Sequence, residues 1–372
     1  GASKALIEMW RISYAALPHP PSTLGWSQNA HMPNAWQKRR FVSGVALPDG
    51  TLLSLGGNQK TTSSSCSPYN DCGMNDVHVS TNGGVTFARQ SAPVTPMWSQ
   101  RSTHANTVML GTSIIAVVGG IARSSTAILS DVWISFDKGV NWAQHGNLPV
   151  AKRAFGLVST SATTLLALGG YTGVSVGGSF YSNTVFKSTA VSPADIGREW
   201  KQLTCAGERW GIRMDFGTAY MPKRDRVLVA GGSMNSAPTV NEYPDVWGSD
   251  DGGECWERLT SIASPPWSSR RSPVLQVIEI DGVEILLLFG GLGVSNVLYN
   301  DVYRSIDGGA TWKEVYQASD SNSADGIWPA RLIFGGLVDV TSQKVIVWGG
   351  EATVSGASSK DVWSAGFSCA TF

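Results

Sequence analysis

The stretch NDVYRSIDGGATW, from Asn300 to Trp312, sets an aromatic-bearing segment, an Asp-Gly-Gly turn and a Trp-bearing segment in a row. In NDVYRS, inward and outward residues alternate with the period of a half-buried strand. Asp-Gly-Gly reads as a turn, because glycine enters positive φ without steric cost. The strand part returns as NDVHVS (75–80), SDVWIS (130–135), NTVFKS (183–188), PDVWGS (244–249) and KDVWSA (360–365). The turn part returns as STNGGVTF (80–87), SFDKGVNW (135–142) and SDDGGECW (249–256), while the third copy carries the longer STAVSPADIGREW.

Two further motifs share this period. A short aliphatic run ending in Gly-Gly precedes each strand copy: LLSLGG, IIAVVGG, LLALGG, VLVAGG, ILLLFGG and VIVWGG, ending at Gly57, Gly120, Gly170, Gly232, Gly291 and Gly350. The first glycines of these pairs lie 63, 50, 62, 59 and 59 residues apart. Each repeat opens on an arginine segment: WQKRR at Trp36, WSQR at Trp98, VAKR at Val150, WGIR at Trp210, WSSRR at Trp267 and WPAR at Trp328. One unit therefore holds four strands, and six such units predict an all-β, six-bladed β-propeller. The sixth unit ends after its Asp-Val-Trp strand. The N-terminal segment ALIEMWRISYAAL, a strand at about residues 5–16, is expected to supply the missing fourth strand and close the ring. The expectation is one domain over residues 1–372.

The Gly-Gly run followed by an aromatic strand resembles the kelch repeat, and Ser-x-Asp-x-Gly-x-Thr-Trp resembles the Asp-box, or bacterial neuraminidase repeat. Together they cover essentially the whole chain. The resemblance implies a propeller and leaves function open, since enzymes, lectins and scaffolds share it. It also implies a structural role for Asn82, Asp137, Asp251 and Asp307, which would accept hydrogen bonds from turn backbone. Trp142, Trp256 and Trp312 would pack beside the turns. In SDDGGECW, Asp250 adjoins Asp251 and leaves the register open by one.

The totals exclude several partners. The 372 residues carry 28 basic and 28 acidic side chains, a balance unsuited to nucleic acid or an acidic membrane surface. The longest strongly apolar run, Val283–Phe289, is too short to span a bilayer. The chain begins at Gly1 rather than Met, as expected of a processed or trimmed product, and no signal peptide is visible. Five cysteines are present. Cys66 and Cys72 bracket a polar loop and suit a local disulfide; Cys205 and Cys255 suit a second, leaving Cys369. Disulfides place the chain in an extracellular or cell-surface compartment, and buried free thiols are the alternative.

The face carrying the post-Gly-Gly loops also carries the arginine segments, and loop faces are where propeller function concentrates. Candidate ligand-binding residues there are Trp36, Arg39 or Arg40, Trp98, Arg101, Arg153, Trp210, Arg213, Trp267, Arg270 or Arg271, Trp328 and Arg331; among the paired choices, Arg40 and Arg271 are taken. Aromatic faces alternating with guanidiniums suit sugars, carboxylates or aromatic peptide groups. Repetition in every unit favours a second explanation, in which each arginine ties neighbouring backbone together. One-off segments, Asn58–Met74 and Leu17–Pro33, are then the better site candidates. The five histidines show no ligand spacing, and no metal, cofactor or catalytic residue is expected.

The expected function is non-enzymatic: a recognition and assembly module binding a protein or glycan, a homo-oligomer or structural subunit of a surface assembly. One alternative is a sialidase-like glycoside hydrolase, faintly echoed by WRIS at Trp10–Ser13. Another is an intracellular kelch adaptor.

Overall fold

The computed structural model describes residues 25–29, 32–33, 36–60, 71–91, 96–123, 127–176, 178–236, 239–260, 266–316, 328–352 and 358–367. The chain is all-β there, with several antiparallel sheets and two single-turn 3₁₀ segments. The repeat seen in the sequence is the repeat of strands. The aliphatic runs form the second strand of each unit: Leu52–Lys60, Ile115–Ala122, Thr164–Val176, Arg226–Ala230, Val283–Gly293 and Lys344–Trp348. Each pairs antiparallel with a preceding first strand: Ser43–Ala46, Ala105–Val108, Gly156–Ser161, Gly217–Met221, Val274–Ile280 and Gly335–Asp339. On its other side lies the third strand, Asp71–Ser80, Ile128–Ser135, Ser179–Thr189, Val246–Ser249, Leu298–Ser305 or Val362–Gly366. Short fourth strands follow at Ala88–Arg89, Ala143–Asn147, Lys201–Leu203, Glu257–Arg258 and Lys313–Tyr316.

The sixth unit takes its fourth strand from the other end of the chain. Trp26–Gln28 pairs antiparallel with Val362–Gly366, in the register Trp26 to Ala365 and Gln28 to Trp363. Residues 5–16, where the closing strand is expected, lie outside the described residues.

Contacts between units follow one rule. Among the described residues the hydrophobic core divides into six clusters, each shared by two successive units, the sixth and the first included. One of them joins Trp36, Val42 and Leu52 of the first unit to Ile346, Trp348 and Val362 of the sixth. The Gly-Gly pair makes this packing possible. In the sixth unit both glycines have positive φ, 60° at Gly349 and 82° at Gly350, and a Cβ on Gly350 would fall 2.5 Å from Phe334. The Gly350 N–H donates to the Arg39 carbonyl at 3.0 Å, and the same bond joins Gly170 to Arg213, Gly232 to Arg270 and Gly291 to Arg331. Each link runs from one unit to the next, and the last runs from the sixth to the first. The first strands adjoin one another in that same cyclic order and line a cavity of about 460 Å³.

Candidate functional site

The repeated arginines are not a surface feature. Arg39, Arg101, Arg213, Arg270 and Arg331 are all fully buried. In each, Nε donates to the carbonyl two residues back, and Nη1 donates to the carbonyl of the first glycine in the unit's Gly-Gly pair. The guanidinium then forks onto the aspartate of the Asp-Val-aromatic strand. The pairs are Arg39–Asp76, Arg101–Asp131, Arg213–Asp245, Arg270–Asp301 and Arg331–Asp361, with Arg331 donating to Asp361 at 2.7 and 2.8 Å. Burial works against the ionised Asp361, yet the Arg331 hydrogen bonds and charge hold its pKa at about 2. Asp131 and Asp245 are lowered in the same way, against burial.

The third unit replaces both partners. Lys152 stands where the others have arginine, and Thr184 where they have aspartate. The Lys152 Nζ donates to the Gly169 carbonyl at 2.7 Å and to Thr184 Oγ1 at 3.0 Å. With no carboxylate at hand, burial drops its pKa to about 7.

Trp36, Trp98, Trp210, Trp267 and Trp328 are no more exposed than 3%, so their rings serve the core and cannot stack on a ligand. Trp210 shows why they recur: its ring lies where a Cβ on Gly169 would sit, 2.6 Å away in the preceding unit. Arg101, Arg213 and Arg331 are withdrawn from the face by the same burial. Where two basic residues adjoin, the first is the buried one, so Arg40, Arg153 and Arg271 remain half-buried at the face. Arg40 donates to Glu351 of the sixth unit at 2.6 Å. Arg271 lies 3.9 Å from Glu242 of the fourth unit, whose carboxyl burial pushes up. Arg153 differs: its guanidinium has no hydrogen-bond or ion-pair partner among the described residues and lies 4.5 Å over the ring of Tyr171.

Following these residues comes a ring of left-handed backbone. Phe41, Thr103, Ala154, Asp215, Ser272 and Ile333 have φ between 48° and 55°, one in each unit. Their peptides link adjacent units: Phe41 N–H to the Ile333 carbonyl at 2.8 Å, Ala154 to Thr103 at 2.9 Å, Asp215 to Ala154 at 3.1 Å and Ser272 to Asp215 at 2.6 Å. Burial raises the pKa of the Asp215 carboxyl, while Arg153 and Arg271 on either side pull it down.

The Asp-Gly turns lie between the third and fourth strands, and their side chains bond to the turn itself. Asp307 accepts from the Thr311 N–H at 2.9 Å, and Asp137 from the Asn141 N–H at 2.8 Å. Asn82 does the same for Thr86, and Asp251 for Cys255. That fixes the register left open in the sequence: Asp250 instead pairs with Arg226. Trp142, Trp256 and Trp312 each donate an indole N–H to the carbonyl of the last turn glycine, Gly139, Gly253 or Gly309. Those glycines face the unit before: Gly253 meets Leu166, and Gly309 meets Leu228.

Cys205 and Cys255 form a disulfide with Cα atoms 5.3 Å apart. It ties the segment after the third unit's outer strand to the Asp-Gly turn of the fourth. Cys72 is disulfide-bonded, whereas Cys66 and Cys369 lie outside the described residues. Most of the Asn58–Met74 loop and of Leu17–Pro33 also lies outside them. No group of three or more His, Cys, Asp or Glu residues among the described residues is placed to hold a metal ion. No described helix is long and apolar enough to cross a membrane.

What the repeat leaves free on the face are the one-off hairpins after Gly-Gly. Val174 and Phe180, 60% and 46% exposed, sit on the hairpin of the third unit; Val294 and Val297 sit at its counterpart in the fifth. Sequence reasoning missed these residues because nothing repeats them; the signal was the length of the second and third strands in those units. No protein-family model matches the chain, and no curated protein is similar to it.

Proposed function

We propose that the six units close into one six-bladed β-propeller of the kelch and Asp-box kind. We further propose that the domain is a non-enzymatic recognition and assembly module. Its ligand is a protein or a glycan, and its setting is extracellular or at the cell surface. Closure is supported by the core cluster and the Gly350-to-Arg39 bond between the sixth unit and the first. The Cys205–Cys255 disulfide is compatible with an oxidising compartment.

One observation carries the functional reading. The buried basic residues that repeat in the units are consumed by the fold, while among the described residues the exposed apolar side chains of the Gly-Gly face belong to the two hairpins that break the repeat. Exposed Val and Phe on projecting hairpins are a poor way to meet water and a good way to meet a partner. The test is oxidative footprinting of the chain in its native extract against the purified chain. Phe180 and Tyr171 should be protected in the extract. Equal oxidation in both samples would remove the support for recognition at this face, and turnover of fluorogenic glycosides by the pure chain would favour the hydrolase instead.

A further inference from the structure

The unpaired arginine of the third unit marks a definite point on this face. Arg40, Arg153 and Arg271 occupy the same place in the first, third and fifth units. Two of them reach across a unit boundary to a glutamate, Glu351 or Glu242. For Arg153 the preceding unit offers Ile121 after its Gly-Gly pair, and among the described residues no acid takes the role. The guanidinium is instead layered on aromatic rings. It sits 4.5 Å from the Tyr171 centroid, and Tyr171 is stacked with Phe180 at 5.8 Å with 12° between planes. Tyr181 holds Tyr171 edge-on at 5.3 Å.

Stacking fixes the orientation of a guanidinium while leaving its N–H fork free. The entropy of ordering a long side chain is thus already lost before any ligand arrives. Asp215 feels the charge of Arg153 together with that of Arg271, and it accepts no hydrogen bond from Arg153. The result is a preset pair of donors beside an exposed phenyl ring and Val174. Arginine and tyrosine are the residue types that dominate binding energy at protein interfaces.

We propose that Arg153, Tyr171 and Phe180 form the anchor of a docking site for a protein segment that carries a carboxylate side chain next to an aromatic or aliphatic one. This rests on the recognition reading above and narrows its ligand. The carboxylate takes the Arg153 fork in bidentate geometry. The apolar neighbour covers Phe180 and Val174, which are too exposed and too apolar to be matched by the hydroxyls of a sugar.

The experiment uses the whole oxidised chain. A phage-displayed library of random dodecapeptides is panned against it, and the enriched peptides are synthesised and titrated by calorimetry. Enriched sequences should pair Asp or Glu with an aromatic or aliphatic neighbour. Arg153→Gln should weaken their binding at least tenfold, and Arg153→Lys should recover only part, since an ammonium lacks the fork. Phe180→Ser should also weaken it about tenfold. Lys223→Gln, at the opposite edge, should change it less than twofold, and thermal melts should place all variants within a few degrees of the parent. The proposal is overturned by three results: no enrichment, enriched peptides without an acid, or equal binding by Arg153→Gln. Tetragalacturonate binding at Arg153 more tightly than any peptide would overturn it too, and would assign the site to an acidic glycan. Footprinting protection elsewhere on the face, with no acidic peptide bound, would spare the recognition reading while removing this one.

Discussion

A buried cation needs acceptors, and this protein meets that need in two ways. Five units use an arginine forked onto an aspartate, and one uses Lys152 with Thr184. The two substitutions belong together. An arginine opposite Thr184 would be a buried charge without a counter-ion, the arrangement that costs about 3–5 kcal/mol when one partner of a buried pair is removed. Lys152→Arg alone should therefore lose about 3 kcal/mol in urea denaturation, and Lys152→Arg with Thr184→Asp should regain most of it. Recovery absent from the double variant would mean that the third unit differs in shape and not only in charge.

The same lysine gives a pH dependence. Its folded pKa is about 7, below its ordinary value of 10.5. Between those values the unfolded chain holds the proton and the folded chain does not, so stability from this group rises with pH from about 7 to about 10.5 and is flat below 7. Comparing the parent with Lys152→Met across pH 6–10 should show that slope in the parent only. A parallel pair of curves would place the amine, charged, in the folded state. The choice of residue here was legible in spacing for two of the doubled sites: Trp at one position and the buried base three later selects Arg39 and Arg270, whereas the third unit has Pro149 in place of that Trp and gives Lys152 no such mark. Where basic residues are doubled, the sequence reading takes Arg40 and Arg271 over Arg39 and Arg270, and Arg153 with no weighing of Lys152. What decides between neighbours is the strand pleat, which turns one side chain in and the next out.

At the scale of one element, the contacts of the Asp-Gly turn answer why a short acidic-glycine stretch recurs. It closes its own hairpin and seats its second glycine on the core of the unit before. Gly253 has φ 93°, and a Cβ there would lie 3.1 Å from Leu166. Gly253→Ala should thus cost about 1–3 kcal/mol through backbone strain, with no help from cavity filling. Ser249→Ala, which removes the acceptor of the Gly253 N–H at 2.9 Å, should cost about 1 kcal/mol. An alanine variant as stable as the parent in chemical denaturation would contradict the packing role. Four of these turns were readable from the motif. The third was not, because nine residues separate Ser188 from Gly197 where four separate Ser249 from Gly253. Yet Gly197 donates to Ser188 at 3.2 Å, receives the Trp200 indole at 3.0 Å and packs on Val132. Contacts are kept while spacing is lost, and a search by spacing cannot see that. The disulfide adds a covalent version of the same tie between units. With Cys205 and Cys255 separated by 50 in sequence, replacing both by serine should lower stability by about 2–4 kcal/mol, and a reductant should do the same to the parent.

For the whole molecule, every core cluster belongs to two units, so no unit can bury its apolar faces alone. The joint between the last unit and the chain's beginning then governs the stability of all. Trp26 is central to it: its indole is buried, lies 5.7 Å from Trp328, and belongs to a strand that covers the edge of Val362–Gly366. Trp26→Ala removes that indole and leaves a cavity, a change that costs about 3–5 kcal/mol in well-packed cores. In a closed ring the loss is shared, because opening one joint exposes two faces at once. Circular dichroism and tryptophan fluorescence should therefore report one common transition, moved to lower denaturant. An open arrangement predicts something else: a separate early transition for the sixth unit, with the midpoint of the rest unchanged. Two resolved transitions in Trp26→Ala would defeat the proposed ring, whatever the contacts of the sixth unit with the first.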